Sequence, residues 1–244
     1  MTEHSVNSFL EFHSIIMEHS DTNYLFRGHG SVDWELVPKV GRSEFKKFYT
    51  TAEQEQAILS SWKRYSQPHL TIQPIDDWDW LTLAQHHGLA TRLLDWTRNP
   101  LVALYFALEN IIPGNQACIY IMAIQDNSFI KNVDSPFLVK SSGVFYPRGL
   151  SARVINQRGV LSVSHQPTVP LDQSLDTVSF KKITIQDNSI PSLRGALNIY
   201  SINEYSIYQD LDALSKQLNR FATERNSKRG IEETIVNFAS SSIT

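Results

Sequence analysis

The chain of 244 residues has a single cysteine, Cys118, so it has no internal disulfide and fits a reducing compartment. No apolar run approaches the ~20 residues of a membrane helix, and Met1–Ser5 lacks the basic-then-apolar pattern of an export signal. The expectation is a cytoplasmic protein without membrane contact. An excess of charge is also missing. Lys and Arg number 22 against 25 Asp and Glu, a formal net charge of −3, which argues against a broad electrostatic footprint on nucleic acid and leaves room only for a local basic cleft. What the chain does have is apolar mass. It is 41% hydrophobic and 11% aromatic, enough to bury a sizeable core as one large domain or one domain with appendages.

Ionisable side chains sit deepest among large apolar ones in the stretch from Ala84 to Pro100, which runs directly into the apolar segment Leu101–Leu108. An unpaired buried charge costs several kcal/mol, so Arg92, Asp95 and Arg98 must find partners or line a solvated cleft. The surrounding signals place this stretch. Asp76 or Asp77 caps a helix in which Trp80, Leu83, Ala84 and His87 share a face, and Gly88 ends it in a left-handed conformation. Leu89–Thr97 reads as extended or irregular. Asn99 followed by Pro100 is a cap and a first helical position, opening a helix apolar almost all round.

Elsewhere, residues 6–19 read as an amphipathic helix with Val6, Phe9, Leu10, His13, Ile16 and Met17 on its inner stripe. Tyr24–Arg27 reads as a short strand broken by Gly28 and Gly30, where the backbone can bend or approach a ligand closely. Residues 31–42 read as a loop wrapping back over the domain. Ser43 and Thr51 offer helix starts, the second with Gln54 as a capping-box partner. Strands are expected over Ala117–Ile124, Val160–His165 and Lys182–Gln186, and helices over Ser189–Leu197 and Asp210–Phe221.

For chemistry, Arg27 is the most informative residue. A guanidinium at the end of an aromatic strand, just before two glycines, suits paired hydrogen bonds to phosphate; a buried bridge to Asp95 is the competing explanation, and the two are compatible if Asp95 holds Arg27 for a ligand. Asp95 has a further alternative, accepting backbone N–H groups at the helix opened by Pro100. His86 and His87 point different ways from one helix and have no partner at metal-ligand spacing, so no metal is expected. Cys118 in an apolar strand disfavours its thiolate. Trp34, Trp78, Trp80 and Trp96 either stack on a base or fill the core.

Tyr24–Gly28, Leu83–Thr97 and Asn99–Ala107 together resemble the FRG domain family, named for a Phe-Arg-Gly motif that here is Phe26–Arg27–Gly28. The resemblance continues through Arg153, Gln157 and Gly159 to Gln209–Asp212, where Tyr208–Gln209 stands in place of the usual Phe-Pro. It implies a division into an N-terminal helix (1–19) packed on an FRG domain (20–222) with a C-terminal extension (223–244). The same aromatic-Arg-Gly sequence resembles the strand end of ADP-ribosyltransferases of the Arg-Ser-Glu group, whose arginine contacts NAD. That group also uses a catalytic glutamate; this chain offers Gln157 near the corresponding strand, with Glu204 more distant.

The resulting expectation is an α+β fold, a mixed, mostly antiparallel sheet flanked by helices and similar to the ADP-ribosyltransferases. Its cleft binds a nucleotide-type ligand such as NAD through Phe26, Arg27, Gly28, His86, Arg92, Trp96 and Thr97, with His87, Asp95 and Gln157 as the catalytic set. The activity implied is transfer of ADP-ribose to a protein or nucleic acid target in a bacterial or phage conflict system. The alternative is a non-catalytic interaction module with the central motif as a polar core.

Overall fold

The computed structural model describes residues 2–21, 23–109, 111–112, 114–131, 133–149, 158–175 and 178–225. Seven strands form one open sheet: β1 (Thr2–Val6), β2 (Tyr24–His29), β3 (Leu93–Thr97), β4 (Ala117–Ala123), β5 (Gly143–Phe145), β6 (Gly159–Val163) and β7 (Ser179–Ile185), in the order β1-β7-β4-β2-β3-β6-β5. Only β1 and β7 pair in parallel; every other neighbouring pair is antiparallel. The fold is α+β.

The helices form where caps and apolar spacing require them. α2 (Ala52–Ser66) starts at the Thr51–Gln54 capping box, and α3 (Asp77–His86) starts at Asp76, whose carboxylate accepts the Asp79 N–H at 2.8 Å. Gly88, at φ +91°, follows the end of α3 in the left-handed region that favours glycine. α4 (Pro100–Glu109) is capped by Asn99, whose Oδ1 accepts the Leu101 N–H at 3.0 Å. The cap is thus Asn99 and not Asp95, which lies within β3 and whose Oδ1 accepts from Gln85 Nε2 instead.

The N-terminus departs from the sequence pattern. Residues 2–6 form the edge strand β1, and the helix is shorter, α1 (Phe9–Met17), capped by Ser8. Its inner side carries Phe9, Phe12, Ile15 and Ile16, while Leu10 and Met17 are exposed, so Val6 packs as a strand residue. Residues after Ser43 form turns bonded back to Arg42 rather than a helix. The remaining α-helices among the described residues are α5 (Leu171–Ser174), α6 (Ile190–Ile199), α7 (Glu204–Tyr208) and α8 (Leu211–Arg225); the short α5 and α7 have no counterpart in the sequence expectation.

Strand alternation sorts the core into two sides. Phe26, Ala117, Ile119, Ile121, Ile183 and Ile185 pack beneath α4 and its neighbours, whereas Leu25, Cys118, Tyr120, Met122, Leu94 and Trp96 form a second cluster. A third cluster joins α2 and α3 to β6 through Leu59, Trp80, Leu81, Leu161 and Val163. Gly28 lies where α4 meets β2. A Cβ there would stand 2.0 Å from the Ala103 carbonyl oxygen and 2.5 Å from the Ala107 nitrogen. The close backbone approach at this glycine is therefore to a helix.

One junction in the sheet is weak. β2 pairs with β4 over six residues, but with β3 only at Phe26–Thr97. Beyond that single pair β2 and β3 part, and a cleft opens between the two halves of the sheet.

Candidate functional site

The cleft encloses about 940 Å³ and takes its walls from β2, the loop after it, α3, α4 and the ends of β3 and β6. Arg27 occupies the parting of the strands. Its Nη1 donates to the Asp95 carbonyl oxygen at 2.6 Å, so the guanidinium supplies a link where the backbone ladder has stopped. Its Nε donates to His29 Nε2 at 2.9 Å. Its Nη2 has no protein acceptor among the described residues, and the side chain is 15% exposed. The Asp95 carboxylate stands back at 3.9 Å and is 67% exposed.

His29 fixes this arrangement through its protonation state. Burial, and then the Arg27 charge beside it, push its pKa down to about 3, against the weaker opposing pull of its bond to the Trp34 carbonyl. The neutral ring accepts from Arg27 at Nε2, which puts its proton on Nδ1, donating to the Trp34 carbonyl at 3.1 Å. Tyr120 OH donates to the same carbonyl at 3.1 Å. Arg27 is thus held by two uncharged acceptors. Burial lowers its pKa, Asp95 opposes that effect and nearby Arg42 adds to it.

Asp95 is positioned from α3. Its Oδ1 accepts from Gln85 Nε2 at 2.9 Å, and Gln85 Oε1 accepts from the Thr91 hydroxyl. The loop after β2 brings Arg42 and Lys46 to the rim, together with Asp33, Glu35 and Glu44. Trp34, partly exposed, offers an aromatic wall.

Of the residues predicted for the site, Phe26, Arg27, Gly28, His86, Asp95, Trp96 and Thr97 line the cleft. Their contributions differ. Phe26 and Trp96 are core side chains, Trp96 donating from Nε1 to the Ser162 hydroxyl at 3.0 Å, and the Thr97 hydroxyl accepts the Asn99 N–H at 3.0 Å. The structure does not bring Arg92 or His87 to the cleft. Arg92 is buried in a two-pronged ion pair with Glu55, Nε–Oε2 3.0 Å and Nη2–Oε1 2.6 Å, its guanidinium 5.2 Å from the Phe137 ring centre. His87 is exposed at the C-cap of α3, its ring 6.3 Å from that of Trp62. Gln157 lies outside the described residues. Glu204 pairs with Arg220 at the start of α7 and is not a lining residue.

Sequence reasoning missed His29, Gln85 and Arg42. The first was within reach, because Arg27 and His29 are two apart on a strand and share a face. Gln85 sits inside the central motif on the same helix as His86. Arg42 carries no local signal, since only the fold of the loop brings it near.

Comparison with family models matches residues 22–116 to the FRG domain. The chain carries an FRG domain. The match takes in Arg27, His29, Arg42, Gln85 and Asp95, and ends just before β4. No curated protein and no solved structure gives a significant match. Within the FRG domain the motif residues Phe26, Arg27 and Gly28 divide by strand alternation, Arg27 turning to the site while Phe26 and Gly28 meet α4.

Two other chemistries have little support in the residues. Burial pushes the Cys118 thiol up to about 12, which keeps it protonated and poorly nucleophilic. Among the described residues no group of three or more His, Cys, Asp or Glu is arranged to hold a metal ion, and no helix is long and apolar enough to cross a membrane.

Proposed function

We propose that the FRG domain binds a nucleotide-type ligand in this cleft, with Arg27 on a phosphate. The observation that carries the reading is the posture of Arg27: two nitrogens held by uncharged acceptors, the third left to the cleft. A guanidinium fixed in this way keeps a charge that neither of its hydrogen-bond acceptors neutralises and presents a preformed donor edge to an oxyanion. Arg42 and Lys46 at the rim extend the attraction outward.

NAD is the nucleotide to test first, transfer of ADP-ribose to a macromolecule is the activity in line with the aromatic-Arg-Gly resemblance, and a place in bacterial or phage conflict is in line with the FRG resemblance. In that reaction a negative group must face the positive charge that develops at the ribose. Asp95, exposed and oriented by Gln85, is the carboxylate best placed for it beside Arg27. A second reading rests on the same contacts. Arg27 bridges the parted strands, and its task is then to hold the sheet together in a binding module without catalysis.

Calorimetry with NAD and AMP, on the wild type and on Arg27→Ala, separates these readings. The nucleotide reading expects binding in the wild type and a loss of at least about tenfold in a folded Arg27→Ala. Absence of binding, or binding unchanged in that variant, overturns it. Nicotinamide released on incubation with NAD marks an enzyme; binding without release marks a sensor. An Arg27→Ala chain that fails to fold, with Arg27→Lys folded but binding as the wild type does, favours the bridge alone.

A further inference from the structure

A second cavity of about 240 Å³ adjoins the cleft, and Thr82 and Pro147 line both. Its walls are aromatic: Trp78, Phe145 and Tyr146 line it, with the first two rings 4.6 Å apart edge to face. Asp79 forms its polar part. This carboxylate is only 4% exposed, accepts the Ile75 N–H at 3.1 Å on Oδ2, and pairs with Arg148, which is itself half-exposed. Beside it the Thr82 hydroxyl is buried and has no hydrogen-bond partner among the described residues, in a residue 6% exposed. A buried hydroxyl left without a partner is unusual in a folded protein and calls for an explanation.

The helix supplies the connection. Asp79, Thr82 and His86 are spaced three and four apart on α3, so they lie along one side of it. That side runs about 10 Å from the small cavity to the large one, at 1.5 Å per residue. Aromatic walls suit a flat ring, and an ionised carboxylate accepts hydrogen bonds without donating any, so the ring's edge must donate.

We infer that the cavity around Thr82 and Asp79 is a subsite for an amine-bearing purine base, belonging to the same ligand whose phosphate Arg27 holds. This rests on the nucleotide reading of the cleft. Thr82 is the junction of the two subsites, its free hydroxyl meeting the ligand where base and sugar join. Asp79 takes a hydrogen bond from the amine edge, and Arg148, an exposed side chain, yields its place there.

The test measures binding of ribose 5-phosphate, AMP and GMP to the full chain, to Thr82→Val and to Asp79→Asn. At least one purine nucleotide is expected to bind the wild type ten times or more tighter than ribose 5-phosphate. Both variants should shrink that ratio to threefold or less. Thr82→Val is nearly isosteric and removes no hydrogen bond among the described residues, so it keeps the test decisive if Asp79→Asn does not fold. Nucleotides that bind no better than ribose 5-phosphate, or a ratio unmoved in Thr82→Val, overturn the subsite and leave the phosphate site standing. Failure of all three compounds to bind overturns the nucleotide reading, and the subsite with it.

Discussion

Arg27 and Arg92 are both largely buried, and both belong to motif stretches dense with apolar residues, yet the fold treats them oppositely. Arg92 meets Glu55 through two parallel hydrogen bonds, both side chains at least nine-tenths buried, and its flat face lies over Phe137. Arg27 meets a neutral imidazole and a carbonyl, while the nearest carboxylate stands 3.9 Å off and faces solvent. The first charge is cancelled and closed; the second is held in place and left available. A buried arginine becomes a candidate for binding when its partners restrain it without neutralising it.

Removing partners from the two sites should therefore have unequal effects. Glu55→Ala strands the Arg92 charge in the core and should cost about 3–5 kcal/mol of unfolding free energy in urea titrations. A Glu55→Leu, Arg92→Met double variant should recover most of that loss, because apolar residues of similar volume replace the pair; continued instability of the double variant would assign the site a role beyond charge pairing.

The Arg27 site should show itself in acid. His29 stays neutral in the folded protein down to about pH 3, whereas in the unfolded chain it takes up a proton below its ordinary value of 6.5. The unfolded state then binds more protons, so this residue's contribution, complete above pH 6.5, is lost as the pH falls from 6.5 towards 3. Between pH 6 and pH 5 the wild type should lose about 1 kcal/mol more than His29→Gln does, measured by urea unfolding at each pH. Equal losses would mean that His29 titrates normally and does not fix Arg27.

The smallest effect belongs to Asp95. Its ion pair with Arg27 is long and its carboxylate solvated, so Asp95→Asn should change stability by less than about 1 kcal/mol. A larger loss would move the Arg27 site towards the Arg92 kind.

Much of the frame could be read from the sequence because its signals are local. The Asp76 cap, Gly88 after α3 and the Asn99–Pro100 restart each depend on residues within one turn of each other. The edge strand β1 could not, since Thr2–Ser5 is polar and becomes a strand only by lying beside β7, some 180 residues away. The site was legible in part for the same reason. Arg27 and Asp95 stood out as ionisable groups among apolar ones, but which carboxylate each arginine meets depends on distant partners. Glu55, on a helix that reads as ordinary core packing, takes Arg92 from 37 residues away. The Asp95 carboxylate then stays free of both arginines' tightest bonds, and Arg27 takes only the backbone carbonyl of that residue.

The tight seating of α4 on Gly28 has a mechanical side. Three successive residues of one strand point to alternate sides of the sheet, so Phe26 and Gly28 answer to the helix while Arg27 answers to the cleft. The strand acts as a crossbar with the helix fixed to two points and the guanidinium to the one between them. Bulk added at position 28 must lift the helix or drop the strand, and either movement carries Arg27 with it. Helix seating and ligand grip are therefore one adjustment rather than two, and the aim of the arginine is set by the absence of a side chain next to it.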